Sequence, residues 1–148
     1  MINSEITATG RLSVIVKDSD GKIKEERNIN NLVVTSGLGF IASRMKDTTD
    51  DAMGYMAIGT GTTAAAAGDT GLASELDRNA LSSTTVAGNQ IEYVSTWLAG
   101  DGTGAVTEAG IFNDASAGTM LARTVFAVVN KDANDSLSIT WTITLSAS

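Results

Sequence analysis

The sequence predicts a mainly β protein, a single-domain antiparallel β-sandwich or jelly roll of about seven or eight strands with one short helix. Three observations carry that expectation. Residues 136–145 read Ser-Leu-Ser-Ile-Thr-Trp-Thr-Ile-Thr-Leu, so Leu137, Ile139, Trp141, Ile143 and Leu145 share one parity and hydroxyl residues fill the other. Strand side chains alternate between faces, which gives this stretch one dry face and one hydroxyl-covered face. Upstream, extended segments are separated by clusters of Gly, Asn and Asp, the residues that supply turns. Only residues 36–46 show a clear helical period. The 148 residues suffice for one core-bearing domain. It divides into an N-terminal hairpin over 1–35, the helix over 36–46 and the main strands over 54–148.

The first strand is expected over 6–17, with Leu12, Val14 and Val16 on one face and Gly10 marking a bulge or bend. Asp18-Ser-Asp-Gly21 reads as a tight turn, and 22–29 returns as an exposed, charged arm. Leu38, Ile41, Ala42 and Met45 repeat at helical spacing, with Thr35 or Ser36 as N-cap and Arg44 and Lys46 at the negative end of the dipole. Gly37 and Gly39 weaken that helix and let it lie close to the sheet. Residues 47–51 read as a polar loop, 55–58 as a short strand, and 69–77 as a helical turn with Leu72 and Leu76 at i and i+4. Two extended arms, 78–87 and 90–98, flank Gly88-Asn89, a strong hairpin signal. The remaining strands are 105–112, 119–129 and the final one. Segment 119–129 is apolar on both parities, with Met120, Ala122, Phe126 and Val128 against Leu121, Val125 and Val129, as in a strand covered on both sides. Its lone charge, Arg123, fits either a strand end or an ion pair at a subunit contact, with Glu108 as partner.

Three stretches resemble chemical motifs and fall short of them. The Asp-Ser-Asp-Gly run opens like a calcium loop, but the third acidic position is missing and Glu25 and Glu26 come too early. Ser43-Arg-Met-Lys46 matches Ser-x-x-Lys without the companion motifs of acyl-transfer enzymes. Gly59-Thr-Gly61 looks like a phosphate-cradling loop, yet no second βαβ unit follows, and Gly68 precedes Asp69 rather than Lys. A turn, a chance match and a structural loop are the preferred readings. No catalytic, cofactor-binding or metal-ligating residue is assigned.

Composition narrows the classes further. There is no cysteine and no histidine, which removes thiolate chemistry, zinc–cysteine sites and His-based triads. A net charge of −7 argues against wrapping nucleic acid. The charge is uneven, since residues 1–46 hold seven of the ten basic residues and five of the seventeen acidic ones. Only 18% of residues are charged, so small polar residues cover much of the surface, as suits an assembly subunit. No apolar run is long enough for a transmembrane helix, and the N-terminus lacks the pattern of a secretory signal.

Five segments, read in order, resemble one group of proteins. They are 56–63 (Met-Ala-Ile-Gly-Thr-Gly-Thr-Thr), 69–76 (Asp-Thr-Gly-Leu-Ala-Ser-Glu-Leu), 108–113 (Glu-Ala-Gly-Ile-Phe-Asn), 118–126 (Gly-Thr-Met-Leu-Ala-Arg-Thr-Val-Phe) and 135–144 (Asp-Ser-Leu-Ser-Ile-Thr-Trp-Thr-Ile-Thr). Together they resemble small virion proteins of tailed bacteriophages, among them capsid cement (decoration) proteins and tail-fibre or collar proteins. The resemblance implies a non-enzymatic β-sandwich used in several copies. The chain shows neither heptads nor a repeat of shaft type, which favours a cement protein over a tail fibre, collar or baseplate-associated protein. Such a protein binds the outer face of the major capsid shell and stabilises the head. Its expected partners are the major capsid protein and itself, as a dimer or trimer, without nucleic acid, membrane or cofactor. Its expected place is the capsid exterior of the virion, after synthesis in the bacterial host cytoplasm. An enzyme or a carbohydrate- or calcium-binding β-module is the remaining alternative class; two carboxylates could run a glycosidase, and no pair stands out for it. The basic residues Arg11, Lys17, Lys22, Lys24 and Arg27 are expected to lie toward the shell or a sister subunit.

Overall fold

The alternation of residues 136–145 produces the middle strand of one half of the molecule. The structure, a computed structural model, describes residues 5–46 and 50–147. Asp47, in the expected loop over 47–51 and net acidic half, therefore lies outside the described residues, as do residues 1–4 of the N-terminal hairpin. Among the described residues the elements are β1 (Ile6–Lys17), β2 (Ile23–Val33), α1 (Thr35–Ser43), β3 (Tyr55–Gly59), β4 (Glu75–Ala80), β5 (Ser83–Ala87), β6 (Gln90–Trp97), β7 (Gly104–Phe112), β8 (Met120–Lys131) and β9 (Ser136–Ala147). The described residues are mainly β, with a single helix and nine strands.

All nine form one antiparallel sheet in the order β4-β3-β7-β8-β2-β1-β9-β6-β5. The order begins with β4 and ends with β5, which only Leu81 and Ser82 separate in sequence. The sheet therefore curls until its two ends become one piece of chain, and the arm expected over 78–87 is in fact two strands that change partners at this corner. Side-chain and backbone hydrogen bonds stitch the seam. The Asn79 amide donates to the Thr96 carbonyl at 3.0 Å, the Ser95 hydroxyl to Ala80 at 3.3 Å, and the Ser82 N–H to Val94 at 2.8 Å.

The main core lies between the facing halves. Leu12, Val14 and Val16 of β1, Leu137, Ile139, Trp141 and Ile143 of β9, and Tyr93 and Trp97 of β6 meet Met56, Ile58, Ala109, Ile111, Leu121, Phe126 and Val129 from the other half. β9 pairs on one side with β1 along all twelve residues of that strand and on the other with β6, which makes it central. Beyond the sheet, on the outer face of β3, β7 and β8, a smaller cluster of Val34, Ala57, Phe112 and Met120 is covered by Leu72 from the long loop 60–74. β8 is thus apolar on both faces because one face meets the core and the other meets this loop. Its simple parity fails, however. Register shifts against β7 between Val106 and Glu108 and between Ile111 and Phe112 put Leu121, Ala122, Phe126 and Val129 in the main core together, with Met120 on the outside and Val128 exposed.

Several local expectations change in the same way, because a tertiary contact outranks the local signal. Gly10 stays in register and makes no bulge; a Cβ there would run into the Asn31 side chain of β2, so the glycine clears room for its neighbour. The helix ends at Ser43, its N-cap is Val34 with no side-chain cap bond, and Arg44 is its C-cap. The Ser36 hydroxyl is used elsewhere, donating to the Met120 carbonyl at 2.9 Å. Phe40 and Ile41 pack toward the core, whereas Leu38 and Met45 are exposed. Gly37 is the close-approach residue, since a Cβ there would collide with the Leu121 carbonyl of β8, while Gly39 faces open space. No helical turn forms over 69–77, and β4 begins at Glu75.

Candidate interaction surface

Two polar arrangements stand out in the fold, one buried and one open. The buried one centres on Glu108 of β7, which is fully buried. Its Oε2 accepts the N–H groups of Gly61 at 2.7 Å and Ser74 at 2.8 Å, and its Oε1 accepts that of Ala73 at 2.9 Å. Arg123 of β8 pairs with the same carboxylate at 3.0 Å, with Asp69 at 2.8 Å, and with the Thr63 carbonyl at 2.9 Å. Asp69 also accepts the Ala66 N–H at 2.8 Å, and the Thr107 hydroxyl donates to the Gly61 carbonyl at 2.7 Å. Both ends of the loop 60–74 are therefore tied to one carboxylate.

The Gly59-Thr-Gly61 stretch follows from that geometry. A Cβ at either glycine would strike the Glu108 carboxylate. Backbone N–H groups gather around an anion much as they do in phosphate-binding loops. Here the anion is the chain's own side chain, and the loop is structural. Burial pushes the Glu108 carboxyl up, and its bonds from Ser74, Ala73, Arg123 and Gly61 outweigh that, holding it below its usual range. Asp69 is held low as well, by the Ala66 N–H and by Arg123. Of the two readings of Arg123, the strand-end one fails, because the residue is buried within β8; the pair with Glu108 forms, but inside one chain rather than at a subunit contact. A second tie lies nearby. Arg78 sits 3.7 Å over the Phe112 ring, pairs with Glu75 at 2.6 Å, and donates to the carbonyls of Asp114 and Ala117, fastening the turn before β8. The role of Arg78 had no sequence signal. Glu108 did carry one, as a charge set in an otherwise small and apolar strand.

The motif-like stretches resolve locally. The Asp18 carboxylate accepts the N–H groups of Asp20 and Lys22, and Gly21 takes a positive φ of 82°, so 18–22 is a tight turn. The Ser43 hydroxyl donates to the Phe40 carbonyl at 2.6 Å and is engaged in its own helix.

The open arrangement is the outer face of β2, β1, β9, β6 and β5. Cross-strand register lines it up in rows: Asn30, Arg11, Thr142, Glu92 and Thr85 in one, and Asn28, Ser13, Thr140, Val94 and Ser83 in the next. Shallow hollows of about 500, 570 and 190 Å³ adjoin here, and all three are lined by Arg11 and Thr142. This hydroxyl- and amide-covered sheet face is the candidate interaction surface. Of the basic residues expected to share one surface, Arg11 lies on it. Lys17 and Lys22 are exposed beside the hairpin turn. Lys24 and Arg27 are engaged within the chain. Lys24 bonds Asp135 at 2.6 Å and Asp132 at 3.0 Å, which raises its pKa to about 12, and Arg27 meets Glu25 at 3.4 Å and the Val128 carbonyl at 3.0 Å.

Comparison with models of protein families, with curated proteins and with solved structures gave no match to this chain. Among the described residues, no group of three or more carboxylates has the arrangement of a metal site, and no helix is long and apolar enough to cross a membrane.

Proposed function

We propose that this chain is a non-enzymatic structural component of a tailed-bacteriophage particle, a cement protein that binds the outer face of the major capsid shell. The observation that supports this most is where the phage-like segments fall. Segments 56–63, 69–76, 108–113 and 118–126 meet around Glu108, Arg123 and Arg78, and 135–144 is the central strand β9. On this reading, the features in common with such virion proteins are a framework of loop anchors and strands. Mounted on that framework is a broad face of small polar residues, which order at little entropic cost when another surface lies against them. The partners on this reading are the capsid protein and sister copies, with Arg11 at the contact.

The test is a count. A protein that covers a shell is present in hundreds of copies and stays with heads after heads and tails are separated. Moderate salt does not strip it, because salt screens only ion pairs, which contribute about 0–1 kcal/mol each when exposed, and neutral hydroxyls and amides make up most of this face. Densitometry showing a few copies per particle, or co-fractionation with tails, would assign it to a tail fibre, collar or baseplate instead.

A further inference from the structure

The sheet's two terminal strands are built differently. β4 carries Glu75, Asp77 and Arg78, charges of the kind that guard an edge. β5 reads Ser-Thr-Thr-Val-Ala, with no charge and no proline, and all five residues are exposed. It is also held in place. The Leu145 N–H donates to the Asn89 carbonyl at 2.9 Å and the Asn89 amide returns a bond to Leu145 at 2.8 Å, which fixes the β5–β6 hairpin on β9. Between this hairpin and α1 runs an apolar groove of about 230 Å³, lined by Val86, Ile91, Leu145, Phe40, Ile41 and Leu121 among others.

We propose that β5 is the dyad strand of a homodimer, in which a second copy of this chain lays its own β5 antiparallel along the first, centred on Thr85. The strand is complementary to itself in this register. Ser83 pairs with Ala87 of the other copy, Thr84 with Val86, and Thr85 with Thr85. Val86, 71% exposed in the single chain, then lies against Thr84 of the other copy at the groove's edge. Charge points to a second copy as the occupant. A molecule of net charge −7 meets its twin with least repulsion through a neutral contact, and β5 is neutral. The nearest outer-face charge is Glu92, paired with Thr85 one strand inward. Across the dyad the two Glu92 residues would sit three strand spacings apart, about 14 Å, beyond the screening length of about 8 Å at physiological salt. A charged partner peptide would find no counter-charge along β5. The inference does not rest on the capsid reading, because the isolated chain tests it.

Sedimentation velocity of the full chain should give a species of about twice 15.2 kDa that dissociates on dilution. Val86→Lys, at an exposed position, should keep the β-type circular dichroism and leave only monomer. The chain has no cysteine, so Thr85→Cys introduces one thiol per copy. At the dyad the paired Cα atoms lie about 4.5–5.5 Å apart, within disulfide reach. Mild oxidation should therefore link Thr85→Cys into dimers much faster than Val128→Cys on the opposite half of the sheet. A monomer at every concentration would overturn the proposal. So would a dimer that survives Val86→Lys, or equal cross-linking at the two cysteine positions.

Discussion

At the scale of single residues, Glu108 shows how a buried charge organises a loop. Five donors converge on one carboxylate: three backbone N–H groups and two nitrogens of Arg123. Removing one partner of such a pair leaves the other uncompensated in the interior, so Glu108→Ala should cost about 3–5 kcal/mol, read from urea melts. Replacing both Glu108 and Arg123 with apolar residues should cost less than the sum of the single changes, as a double-mutant cycle would show. Near-additivity would mean that the two act separately. The sequence exposed the charge but not its role. Trp141 was legible because its burial follows from parity alone, whereas Glu108 depends on bonds to residues 61, 73 and 74, which no local pattern encodes.

At the scale of elements, the departures from local expectation share one cause. The 69–77 segment has helical spacing, yet its Ala73 and Ser74 N–H groups go to Glu108, so residues 69–74 stay irregular and β4 starts at Glu75. The helix pattern placed the element correctly but turned its apolar face wrongly, because Gly37 draws α1 against β8 and sets which side faces inward. Gly37→Ala should destabilise by about 1–3 kcal/mol, since a methyl group there must push the helix off the Leu121 carbonyl. Gly39→Ala should instead stabilise by about 0.5–1 kcal/mol, because it meets nothing and gains helix propensity. Equal effects in thermal melts would refute the packing argument. The loop 60–74 also carries a pH dependence. Glu108 and Asp69 titrate below their ordinary values of 4.5 and 3.8, so on acidification the unfolded chain takes up protons before the native one does. The stability these carboxylates provide is fully present above about pH 4.5 and is lost as pH falls through the lowered native values. Melting temperature should drop steeply below that point, and Glu108→Gln should flatten the drop while lowering the neutral-pH plateau.

At the scale of the whole molecule, the strands were legible and their order was not. Alternation places β1, β6 and β9 within a few residues of their observed limits, and Gly88-Asn89 names its own hairpin. Nothing local says that β9 returns between β1 and β6, or that a two-residue corner at Leu81 and Ser82 joins the sheet's two ends. Those facts belong to the closing of a curled sheet over one core, a property of all nine strands at once. The β1–β9 ladder has a mechanical consequence. Ile6 lies opposite Ala147 at one end of this ladder, and Lys17 opposite Ser136 at the other. A tug that draws residues 6 and 147 apart peels that ladder one rung at a time. A load spread across the sheet face, or along the strands between residue 6 and the turn at 18–22, strains many rungs together. In optical tweezers, handles at residues 6 and 147 should unfold the protein at a clearly lower force than handles at residues 6 and 20. Anchored by a broad face, the same fold is a tough plate; pulled apart at the Ile6–Ala147 rung, it is a zip.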